Sequence, residues 1–160
     1  MNYFIKAILK LALFTLSIII IGTLLLLQLI DTELQSHELN KFKKATINKY
    51  DFIKDIDIYG IAPHLRISFS LNREVNFTEI ERVFEETKDF ILSEDVFADL
   101  QKLHSEKHGD TFITITIDFN YSQKDEIIDY YRFDSHDNFK IWRIEHNGTQ
   151  INSINGTGDG

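Results

Sequence analysis

Residues 113–121 read Ile-Thr-Ile-Thr-Ile-Asp-Phe-Asn-Tyr, and this alternation decides what kind of domain the chain can form. Ile113, Ile115, Ile117, Phe119 and Tyr121 share one parity; Thr114, Thr116, Asp118 and Asn120 share the other. Successive side chains of an extended strand point to opposite faces, so the stretch describes a strand buried on one side and wet on the other. A helix would scatter the same apolar residues around its circumference.

A second alternation precedes it. Leu65, Ile67, Phe69 and Leu71 interleave with Arg66, Ser68, Ser70 and Asn72, and a shorter strand places Ile56 and Ile58 between Asp55, Asp57 and Tyr59. Residues 60–63, ending in the chain's single proline, punctuate the turn between them. The period then changes. Asn76 stands three residues before Glu79, the spacing of a capping box. Phe77, Ile80, Phe84, Thr87 and Ile91, helped by Val83 and Phe90, make one helical face. Ser93 with Glu94 and Asp95 restarts the helix, Val96, Phe97, Leu100 and Leu103 continue its buried side, and Gly109 stops it. After residue 121, residues 127–134 and 139–146 read as two more strands, with turns near 122–124 and 135–138. Apolar residues on both parities there leave their inward faces open and suggest that both faces are partly covered. The order β-β-α-α-β-β-β gives an α+β class: a mainly antiparallel sheet packed on helices. Its wet face is expected to show Arg66, Ser68, Ser70, Thr114, Thr116, Asp118 and Asn120.

The N-terminus has a different character. Residues 11–30, LALFTLSIIIIGTLLLLQLI, carry no charge, and a helix of that length spans about 30 Å, the bilayer hydrocarbon. A cleavable signal peptide competes with this reading, but the run exceeds the usual apolar core and no small-residue cleavage site follows it. An uncleaved signal-anchor, a single-pass transmembrane helix, is the expectation. Lys6 and Lys10 before the span argue that the tail of residues 1–10 is cytoplasmic and the domain extracytoplasmic. Lys41, Lys43, Lys44 and Lys49 beyond it count the other way. Residues 31–54, with Leu39, Phe42, Thr46, Tyr50 and Ile53 at helical spacing, read as a juxtamembrane helical stalk. The globular domain is then residues 55–147, and residues 148–160, rich in Asn and Gly, read as a disordered tail.

Lys6 and Lys10 are the only charged side chains before Asp31, so removing them from the chain's −8 leaves −10 on the remainder. Such a domain is repelled by phosphate backbones, which disfavours nucleic-acid binding through a basic groove, and no nucleic-acid partner is expected. Cysteine is absent, which excludes disulfides, thiolate catalysis and Cys-ligated metal sites. Four Asn-x-Ser/Thr sequons, at Asn76, Asn120, Asn147 and Asn155, matter only in a eukaryotic secretory pathway. The Ile-, Lys- and Asn-rich composition reads instead as that of a bacterial membrane protein.

Candidate chemistry is sparse. His104 and His108 lie four apart on one side of a helix, as a metal pair would, although the His-Glu-x-x-His pattern is missing and histidines in a last helical turn also suit the helix dipole. Asp55 and Asp57 share one side of a strand, and Asp118 could join them across the sheet to share a proton or hold a cation. Arg66, Asp118, Tyr130, Arg132 and Trp142, with His146 nearby, form a candidate binding surface for a peptide or glycan. No glycine-rich phosphate loop, nucleophile elbow or catalytic triad spacing occurs, and no cofactor is implied. The expectation is a membrane-tethered accessory module, held in lipid by residues 11–30, that engages an envelope protein or peptide through its sheet. A metal- or carboxylate-dependent envelope enzyme and a self-oligomerising structural protein are the alternatives.

Overall fold

A computed structural model describes residues 32–124 and 126–155. The expected N-terminal tail and membrane-spanning segment lie outside the described residues, and among the described residues no helix is long and apolar enough to cross a membrane. The described chain is a small α+β domain.

Its elements are β1 Thr32–Glu33, α1 His37–Lys49, β2 Ile53–Ile61, β3 His64–Leu71, α2 Phe77–Ile91, α3 Glu94–His108, β4 Thr114–Gln123, β5 Glu126–His136, β6 Ile141–His146 and β7 Thr149–Asn155. Strands β2 to β7 form one mixed sheet, extended at its β2 edge by the two-residue β1, and their order in space follows their order in the chain. Every neighbouring pair is antiparallel except β3 and β4, which run parallel. A parallel pair cannot be joined by a tight turn and needs a crossover. Helices α2 and α3 are that crossover.

The stretch that opened the sequence reading becomes β4, an interior strand. Ile115, Ile117 and Phe119 are fully buried and sit in register with Leu65, Ile67 and Phe69 of β3. The Phe69 and Phe119 rings stack at 4.6 Å. Against this layer α2 presents Ile80, Val83, Phe84, Thr87 and Ile91, all buried as their spacing predicts. Phe84 lies flat on Phe133 at 4.1 Å and meets Trp142 edge-on at 5.1 Å. Asn76 caps α2, its side chain accepting from the Glu79 backbone N–H at 3.0 Å.

Several expectations are corrected. The stalk expected over residues 31–54 is part of the domain: β1 pairs with β2, and α1 follows, capped by Ser36. Helix α1 buries Leu39 and Thr46 and stacks Phe42 on Phe90 of α2. The Tyr50 hydroxyl donates to Glu86 at 2.8 Å, tying the end of α1 to α2. The tail expected to be disordered from residue 148 is ordered as β7 to Asn155, and residues 156–160 lie outside the described residues. Among the described residues, helices cover one face of the last strands, and the other face is only partly buried by its own side chains. Tyr131, Phe133, Trp142 and Ile144 face the core, whereas Ile127, Ile128 and Ile141 are exposed. The mixed parity at the start of β5 has a physical cause. A bulge between Tyr121 and Ser122 sets two β4 residues against Asp129 and Ile127, leaving Ile128 as the extra residue. Ile113 precedes the strand and is 67% exposed, so the buried alternation begins at Ile115.

Replacing Phe84 by Ala removes the ring that joins α2 to both β5 and β6. The substitution is expected to lower the unfolding free energy by about 3–5 kcal/mol, measured by urea unfolding of the full chain in detergent solution.

Candidate functional site

The register that buries one face of the sheet lines up the polar residues on the other. One row across the strands runs Asp57, Ser68, Asp118, Arg132, Glu145 and Gln150; the next runs Tyr59, Arg66, Thr116, Asp134, Arg143 and Ser153. Opposite charges therefore meet across β4, β5 and β6. The three helices gather on the apolar side: Phe84 of α2 stacks on Phe133, the α3 histidines meet Gly60 of β2, and α1 joins α2 through Phe42 and Phe90.

At the centre of the polar face Asp118 is only 1% exposed, although Thr116 and Asn120, its neighbours on that face of β4, are half-buried. Two arginines enclose it. Arg66 Nε donates to Oδ2 at 2.6 Å and Arg132 Nε donates to Oδ1 at 2.8 Å. An ionised carboxylate needs such charge-assisted donors to be held out of water. The Asp118 carboxylate, above all, pushes the Arg132 guanidinium further toward its charged form. Around the brace, Thr116 donates to Asp134 at 2.7 Å and Tyr130 to Glu145 at 2.7 Å, while the Arg132 guanidinium lies 5.9 Å from the Tyr130 ring centre. Two shallow depressions adjoin it. One of about 260 Å³ is lined by Ile61, His64, Arg66, Thr116, Arg132 and Asp134. The other, about 390 Å³, extends along Asp134, Arg143, Glu145 and Gln150.

Of the expected binding residues, Arg66, Asp118, Tyr130 and Arg132 come together here. Trp142 does not. It is fully buried on the opposite face, its indole N–H donating to the Phe139 carbonyl at 3.1 Å. Strand alternation puts Trp142 on the parity of Ile144, hence in the core. His146 also lies on the helix side, stacked on Tyr131 at 4.2 Å and 2.6 Å from Asp129. The three-carboxylate group does not assemble either. Ser68 stands between Asp57 and Asp118 in the row, so the two acids are two strands, about 10 Å, apart, and Asp118 is held by arginines. Asp134, Arg143 and Glu145 escaped the sequence reading, because their face depends on the parity of β5 and β6.

His104 and His108 converge on the helix side of β2, with ring centres 4.6 Å apart. A Cβ placed on Gly60 would lie 2.8 Å from His104 Nδ1 and 2.9 Å from His108 Nε2, so only glycine leaves room for the pair. Neither ring nitrogen of His104, nor Nε2 of His108, hydrogen-bonds another protein group among the described residues. Also among the described residues, no three His, Cys, Asp or Glu side chains gather as metal ligands. The pair thus supplies two nitrogens without a third protein donor. Metal ligation as expected from their spacing gains no further residue.

Comparison with known proteins brings no match: no family model fits the chain, and neither a curated protein nor a solved structure matches it.

Two outcomes follow from this geometry. Asp118→Asn leaves two guanidiniums without their counter-charge; solvent screens them in part, since each arginine is more than a third exposed. The expected loss is about 1–3 kcal/mol, read from urea unfolding. His104 has its pKa lowered, first by burial and then by His108 and His64, with Asp110 opposing. It is therefore neutral in the fold and takes up a proton more readily when unfolded. Its contribution is present above the unfolded value near 6.5 and is lost as pH falls through that value toward the lower folded one. Unfolding measured from pH 7.5 to pH 5 is expected to weaken less steeply in His104→Leu than in the unaltered chain. Equal slopes would remove His104 as the cause.

Proposed function

We propose that this chain is a membrane-tethered, extracytoplasmic binding module, which engages an envelope protein or peptide through the open face of its sheet. The observation that carries the reading is the Arg66–Asp118–Arg132 brace. It fixes charged side chains in place on a face against which no described helix packs. Recognition surfaces gain affinity from such preorganisation, because less side-chain freedom is lost on binding. The tether rests on the uncharged run of residues 11–30, and the outward orientation on Lys6 and Lys10.

Self-association is a second reading with one observation in its favour. Strand β7 closes one edge of the sheet among the described residues, and its sequence TQINSIN has neither the charge nor the proline that usually guards an edge.

The test is site-directed photo-crosslinking of the full chain in its own membranes, with the crosslinker at Ser68 on the open face or at Asp89 on exposed α2. Reporters after residue 160 give the side of the membrane. The module reading expects an outside reporter signal and a discrete heterologous adduct from Ser68 that is missing from Asp89. An adduct of twice the chain's mass alone would favour self-association. An inside signal, or identical adducts from both positions, would overturn the proposal.

A further inference from the structure

We propose that Arg66 and Arg132, braced by Asp118, form a carboxylate-binding site on the open face, for a ligand whose remainder is neutral or cationic. The inference rests on the open-face reading above and supplies its ligand chemistry.

One arginine would neutralise one aspartate; this aspartate has two. Two guanidiniums offer about ten N–H donors against about four acceptor positions on one carboxylate. Asp118 therefore cannot satisfy both, whatever the detailed geometry. What it does is hold them: Nε of each is pinned at 2.6 and 2.8 Å, while 38% of the Arg66 side chain and 36% of Arg132 remain exposed. The buried carboxylate is enclosed and the outer donors meet solvent. The brace alone carries a surplus positive charge on a domain that is otherwise strongly acidic.

The surroundings select among anions. The adjoining depression of about 260 Å³ is lined by both arginines and gives room for a small acidic group. A planar carboxylate fits the guanidinium fork with two parallel hydrogen bonds. A phosphate dianion would bring more charge toward Asp134 and Glu145, both close enough to act on Arg132. Those same acids favour a ligand that carries a cation beside its carboxylate. A peptide chain end and an acidic side chain both offer the required group.

The five arginines of the full chain give separate Nε–Hε signals in nitrogen–proton NMR, recorded in nonionic detergent micelles and assigned by single Arg→Lys substitutions. The probes are N-acetyl-Lys-Ala-Ala as the free acid, the same peptide amidated, amidated N-acetyl-Lys-Asp-Ala, and inorganic phosphate. The free acid or the Asp peptide is expected to shift the Arg66 and Arg132 signals saturably, and the amidated Ala peptide to leave them unmoved. Which of the two acids binds more tightly identifies the source of the carboxylate. Arg66→Lys and Arg132→Lys keep the charge but lose the fork, and are expected to weaken binding roughly tenfold, about 1.4 kcal/mol. Arg82→Lys, on the exposed side of α2 and away from this face, is expected to bind as the unaltered chain does.

No shift with either carboxylate, tighter binding of phosphate, or Lys variants that bind as well as the unaltered chain would each overturn the site. A variant that fails to fold is recognised by collapsed amide dispersion, and the acid-against-amide comparison in the unaltered chain then decides. Retained crosslinking from Ser68 with arginines blind to carboxylates would sink this inference and leave the module reading standing. Carboxylate binding without any crosslinked partner would support the site and sink the module reading.

Discussion

The parallel pairing of β3 with β4 is the constraint on which the rest of the structure depends. Every other neighbouring pair of strands is antiparallel. To run β4 alongside β3 in the same direction, the chain must return from one end of the sheet to the other, and α2 and α3 make that return across one face. The face they cross becomes the core. Phe69, Phe119, Phe133 and Trp142 are buried because α2 lays Phe84 and its neighbours over them. Among the described residues the opposite face receives no such layer, and its polar residues, Asp118 apart, stay at least partly exposed. One connection thus separates the surface that stabilises the domain from the surface available to a ligand.

Much of this was legible in the residues. The alternations of β3 and β4 fixed both strands and their buried faces, since strand parity admits one solution when every second residue is apolar. Asn76 and Glu79 announced α2, and the spacing of Ile80, Phe84, Thr87 and Ile91 its buried side. One signal was present and overlooked. Asn147-Gly148 is a strong hairpin dipeptide; both residues adopt positive φ, +46° and +82°, and turn β6 into β7. A composition that reads as a tail hid a two-residue turn. Helix α1 was visible as a periodic segment, but whether it stands alone or docks depends on distant partners such as Phe90 and Glu86. Local periodicity does not contain them.

The candidate site was legible only as a list of residues. Arg66, Asp118, Tyr130 and Arg132 could be named from the sequence, but their relation could not. It requires the parallel register that brings Arg66 beside Asp118 and the antiparallel register that sets Arg132 opposite it. Bulges obstructed the rest. The extra residue near Ile128, and another in β7 opposite Ile144 and Glu145, shift parity within a strand, so faces counted along the sequence go out of phase. The misplacement of Trp142 has another cause: Arg132 pairs with Glu145, so even-numbered residues of β5 share a face with odd-numbered residues of β6, and the turn between the strands sets that register.

One buried titratable group on each face is accommodated in the opposite way. On the helix side, both ring nitrogens of His104 and Nε2 of His108 lie by Gly60 without a hydrogen-bond partner among the described residues, and burial disfavours the charged form of His104. Burial there tolerates the His104 ring in its uncharged form. On the open side, Asp118 is as deeply enclosed as a core residue and is met by two cations. A domain that needed only to neutralise an aspartate could do so with one arginine, or replace the cluster by threonines like those around it without loss of core packing. Since buried ion pairs contribute little to stability relative to apolar or neutral replacements, stability alone is a poor reason for a pair of arginines fixed around one carboxylate. Their fixed geometry is better accounted for by what the outward-facing donors can hold.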